Sequence, residues 1–164
     1  MTEQQTTLLS KIIPYLNLIE KIFLTGLATG LAFTFFTFDN NKAIIKFSFV
    51  GLAISYLLMA FKYIEIPRQE GEKFGFKELL AWIIIPKIIW ISCAISLLGF
   101  FIYILQLGHD GHKRAFMIAG SNIAFGLIVI IYSLFTGTKH LKYLVPTLIR
   151  AIPIAIVDFY LLFN

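Results

Sequence analysis

Five times the chain runs for about twenty residues with few polar side chains, over 18–38, 43–61, 88–107, 115–135 and 144–163. At about 1.5 Å of rise per helical residue, each run is long enough to cross the roughly 30 Å of hydrocarbon in a bilayer. No water serves the backbone there. Every N–H and C=O must pair within its own segment, and for a single span only a helix does so. Composition agrees, since 59% of the 164 residues are hydrophobic and 14% charged, where soluble domains hold about 45–50% and about 25%. The reading is an all-α fold, a single domain over 1–164. It is a polytopic integral membrane helical bundle of about five transmembrane helices, two hairpins followed by a C-terminal helix.

The polar segments punctuate this pattern. Residues 1–17 read as an amphipathic lead-in, with Leu8, Leu9, Ile12, Ile13 and Leu16 at helical spacing and Pro14 interrupting them. Met1 to Thr7 is polar, so no secretory signal peptide is expected. Asp39 to Lys42 is a turn signal that makes the first two spans a tight hairpin. Residues 62–78, KYIEIPRQEGEKFGFKE, hold four basic and four acidic side chains with Pro67, Gly71 and Gly75, and form the one substantial polar loop. The third apolar run, from Leu79 to Leu107, exceeds one upright helix. Pro86 and Lys87 are expected to divide it, leaving 79–85 in the interface.

Orientation follows from Lys and Arg, which gather on the cytoplasmic side of short loops. An inside N-terminus places Lys11, Lys21, Lys62, Arg68, Lys73, Lys77, Lys87, Lys139, Lys142 and Arg150 at the inner edge and only Lys42, Lys46, Lys113 and Arg114 at the outer. The expected setting is thus the bacterial inner membrane, with a cytoplasmic N-terminus and an outside C-terminus; a fifth segment that dips and returns would bring the C-terminus inside. The net charge of +5 sits at helix ends rather than along one stripe. Its expected partner is the anionic inner leaflet of the lipid bilayer, not nucleic acid.

Charges within the spans are costly and mark function unless they reach water. Lys46 and Arg150 lie in the first two turns of their spans and Lys87 just before its own. Their long stems lean back toward the interface, because side chains tilt toward the helix N-terminus. Asp158 has no such exit. Its short side chain, six residues from the last one, tilts toward the bilayer centre. It needs a buried partner, a protonated carboxyl or a water-filled cavity. Depth along the helices pairs Asp158 with Lys46 near the outer side, and Glu20 with Arg150 at the level of Lys87 near the inner. Such pairs either hold helices in register or line an ion or proton path.

Small residues mark helix contacts. Gly26 and Gly30 form a GxxxG with Thr25 and Thr29 beside them, and Gly51 with Ser55, Ser92 with Ser96, and Gly120 with Ala124 repeat the spacing. Asn122, in the outer half of the fourth span, requires a polar partner. The lone Cys93 excludes an intrachain disulfide and thiol-rich zinc sites. His109 and His112 in the GHDGHKR turn and His140 across the membrane make a poor metal set. No metal, cofactor or catalytic constellation is expected, and the chain is read as not an enzyme.

The first hairpin, GLAFTFFTF, a short turn and FSFVGLAISYLLMAF, resembles the transmembrane hairpin of the small motor subunit in the gliding-motility and type IX secretion machinery. LLGFFIYILQL to IAGSNIAFGLIVIIY resembles it more loosely and echoes the first hairpin within this chain. That family's hairpin carries a membrane-embedded acid. Neither helix here offers one near its centre, Ser55 being the nearest polar candidate, so the resemblance implies a related hairpin and not a proton-driven motor. The functional expectation is a small non-enzymatic membrane component or accessory subunit of a larger assembly, as a homo-oligomer or with a membrane protein partner. The alternative is a small oligomeric ion or proton channel or transporter, with Asp158, Lys46 and Arg150 along its path.

Overall fold

The computed structural model describes residues 11–35, 41–62, 75–107, 110–136 and 144–163. These form an all-α bundle of five long helices: α1 (Leu16–Phe35), α2 (Asn41–Met59), α3 (Ile85–Leu105), α4 (Gly111–Phe135) and α5 (Val145–Phe163). All five belong to helical stretches long and apolar enough to cross a membrane. Most of the 62–78 loop, the first ten residues of the lead-in and the tip of the first hairpin lie outside the described residues.

Two expected boundaries are corrected, and proline is the reason in both. Pro14 does not interrupt a separate lead-in. It sits in a 3-10 turn, Ile13–Tyr15, that runs straight into α1, because a proline's missing N–H and fixed φ suit a first helical turn. Leu16 is fully buried at that junction. Nor does Pro86 divide the third run. A helical turn, Phe76–Leu79, passes through a π-helical turn, Leu80–Ile84, into α3 without a break. The wider i→i+5 turn just ahead of Pro86 makes room for the ring and its lost N–H. Ala81, Trp82 and Ile85 are buried there, so the segment packs against the bundle.

α3 is apolar on every side, as a helix surrounded by others must be, and it packs against α2, α4 and α5. Its C-terminus closes on Gln106 in the left-handed region, φ 53°, with Leu107 N–H bonded to Ile102 O at 3.1 Å. Successive helices are neighbours, and α5 folds back beside α3 as well as α4. α5 is continuous through Pro153 for 19 residues, about 28 Å of rise. It does not dip and return.

The glycine faces expected from sequence are spent within the chain. A methyl on Gly26 would meet Ser48 Oγ at 2.8 Å and one on Gly30 would meet Ile45 at 2.7 Å, so the GxxxG seats α1 on α2. Gly51 lies under the Phe23 ring, and Ser55, one turn on, turns its hydroxyl to Gly51 O at 2.8 Å. Gly120 faces Phe159 and Asp158 of α5, with half-buried Ala124 one turn further. Gly99 and Gly126, not singled out from sequence, do the same for α3 and α4: Gly99 meets Phe116, and Gly126 meets Ile89.

Candidate functional site

Two buried polar nodes lie within this apolar bundle. The first joins α1, α2, α3 and α5. Glu20 is 2% exposed, a position a carboxylate holds only when its charge is met. Arg150 meets it with two parallel bonds, Nε to Oε1 at 2.5 Å and Nη2 to Oε2 at 2.7 Å. Nη1 donates back to Pro146 O at 2.9 Å, and the guanidinium carbon stands 5.9 Å from the Trp90 ring centroid. Tyr56 donates its hydroxyl to Glu20 Oε1 at 3.1 Å and packs edge-on to Trp90 at 5.2 Å. The expected Glu20 to Arg150 pair is present. Tyr56 and Trp90 were invisible to charge counting; their only signal was an amphipathic aromatic near a span's end.

The second node contains Asp158, 1% exposed. Lys46 does not reach it. No ion pair joins the two among the described residues, and α5 packs chiefly on α3 and α4 while α2 packs on α1 and α3. Ser96 of α3 donates to Asp158 Oδ1 at 2.5 Å, and Oδ2 has no hydrogen-bond partner among the described residues. Gly120 of α4 faces the Cβ of Asp158 across ordinary contact distance. Ser92 and Cys93 are buried on the same stretch of α3. The Ser92 and Ser96 spacing predicts close helix packing; Ser96 in addition donates to the acid.

Lys46 is half-buried on α2 and Lys87 exposed at the start of α3, and neither forms an ion pair among the described residues. Asn122 is exposed on α4 and has no hydrogen-bond partner among the described residues, so the expected interhelical bond is not found among them. His112 packs edge-on to Tyr103 at 5.2 Å and Phe116 at 6.0 Å, while His109 and His140 lie outside the described residues.

A groove of about 810 Å³ opens between α1 and α5, with α2 and α3 as its floor. Leu24 and Val157 form its rims and are each more than 40% exposed. The Glu20 and Arg150 node lies at the end where α1 and α5 begin.

This arrangement defines a multi-pass membrane helical bundle. No protein-family model matches the sequence, and no curated protein or solved structure matches it either.

Proposed function

We propose that the chain is a small non-enzymatic component of the bacterial inner membrane, oriented by its basic residues with the N-terminus in the cytoplasm. It serves as a subunit of a membrane assembly by pairing with a second copy of itself through α4. The observation that supports this reading is the outward-facing Asn122. It lies seven residues into the apolar part of α4, which starts at 115, about 10 Å along the axis, within the outer half of the hydrocarbon. An amide turned to lipid at that depth leaves donors and acceptor unmet. A carboxamide both donates and accepts, so two copies related by a two-fold axis satisfy each other reciprocally. Exposed Ile118 and Phe125 flank it one turn away on either side and supply apolar contact. Any kinship of the first hairpin with the gliding-motility motor subunit fits this reading, as one hairpin-forming subunit with another.

The free oxygen of Asp158 favours a second reading, a small oligomeric ion or proton channel or transporter. Arg150 is committed to Glu20, and neither it nor Lys46 pairs with Asp158 among the described residues, so the three charges do not form one connected line.

Disulfide cross-linking separates α4 pairing from chance collision. In a Cys93→Ala background, Ile118→Cys and Phe125→Cys cross-link in membranes, while Ile22→Cys on the exposed face of α1 does not. Equal cross-linking at all three positions contradicts the pairing.

A further inference from the structure

We propose that the groove between α1 and α5 binds one acyl chain of an anionic lipid, with the phosphate headgroup held by Lys21 beside the Glu20–Arg150 pair. The site is separate from the α4 face that carries Ile118, Asn122 and Phe125, since no α4 residue lines the groove.

The groove wall is apolar for most of its length, with Leu24 and Leu27 from α1, Phe100 from α3, and Pro153, Val157 and Leu161 from α5. From Arg150 to Leu161 it follows eleven residues of α5, about 16 Å. Half of the roughly 30 Å hydrocarbon core is about 15 Å, so the length suits a tail from a single leaflet.

Only one end of the groove is charged. Glu20, Lys21 and Arg150 lie there, and both oxygens of Glu20 are engaged by Arg150. Lys21 is exposed and forms no ion pair among the described residues, which leaves the mouth with one positive charge in excess. An apolar slot the length of one leaflet with a cationic mouth at a helix-end level fits an amphiphile whose head is an anion. Sequence counting had already placed Lys21 and Arg150 on the inner-leaflet side, where anionic lipid is concentrated.

The experiment is native mass spectrometry of the full chain in mild detergent, offered equimolar phosphatidylglycerol and phosphatidylcholine with identical tails. One bound phospholipid per chain is expected, with phosphatidylglycerol favoured about fivefold, the effect of a single surface cation. Lys21→Gln keeps a bound lipid and loses the preference. Val157→Trp and Leu24→Trp fill the groove from opposite walls, and each removes the bound lipid. Inorganic phosphate alone does not compete, which distinguishes a lipid site from a free-anion site. No headgroup preference, an unchanged preference in Lys21→Gln, or wild-type lipid retention in both tryptophan variants overturns the proposal. Lys21 is exposed, so its substitution decides the matter even where a tryptophan variant fails to fold.

Discussion

Glu20 and Arg150, 130 residues apart in sequence, bridge the first and last helices across an open groove through a bidentate ion pair. α1 otherwise rests on α2, and α5 on α3 and α4. The pair therefore ties together two helices that the apolar core leaves apart, and its two halves are unequally buried, with Glu20 at 2% side-chain exposure and Arg150 at 27%.

That inequality sets the sign of a double-mutant cycle. Arg150→Met strands a buried carboxylate and is expected to cost about 3–5 kcal/mol. Glu20→Leu costs less, because Arg150 keeps Pro146 O and partial access to water. The double variant recovers most of the loss, since replacing a buried pair by apolar groups is often close to neutral. Unfolding in mixed micelles reads all three, and additive losses would contradict the coupling.

Glycine substitutions are expected to split by sign. Gly51→Ala drives a methyl into the Phe23 ring and, like other overpacking, costs about 1–3 kcal/mol. Gly120→Ala meets only ordinary contact at 3.5 Å and gains helix propensity, so it is neutral or stabilising by up to about 1 kcal/mol. Thermal unfolding of the two variants side by side checks this, and a larger loss at Gly120 contradicts the register of α4 on α5.

Ser96→Ala removes the one hydrogen bond to Asp158 found among the described residues and is expected to cost about 1–3 kcal/mol. Asp158→Asn, which keeps an acceptor for Ser96, costs less than that. Reconstituted vesicles are expected to show proton and cation flux at the level of empty vesicles for both. Flux above that level in wild type, abolished by Asp158→Asn at unchanged stability, selects the channel reading.

Five spans with the N-terminus inside place the C-terminus outside. A cysteine added after Asn164 is expected to react with an impermeant thiol reagent in intact cells, and buried Cys93 adds no background. Labelling only after the cells are opened contradicts the orientation.

The bundle was legible because apolar run length answers to bilayer thickness, a constraint that local detail does not disturb. Glu20 and Arg150 were legible for a similar reason: long side chains at one depth find each other across a gap. Lys46 and Asp158 share a depth too, but depth says nothing about which helices are neighbours, and α5 packs chiefly on α3 and α4. Ser96 took the acid because an acceptor in hydrocarbon accepts the nearest hydroxyl. Pro86 misled because the π turn that absorbs it has no signature in residue type. The groove was invisible as well, since it is made by what α1 and α5 leave unfilled.

The association equilibrium of α4 tests the central claim most directly. Labelled chains in liposomes, followed by energy transfer as protein is diluted into lipid, are expected to show a reversible dimer. Asn122→Leu should weaken it about 5- to 30-fold, the worth of one interhelical amide contact of about 1–2 kcal/mol. A wild-type chain that stays monomeric at every density, or a dimer that Asn122→Leu leaves unchanged, contradicts the account.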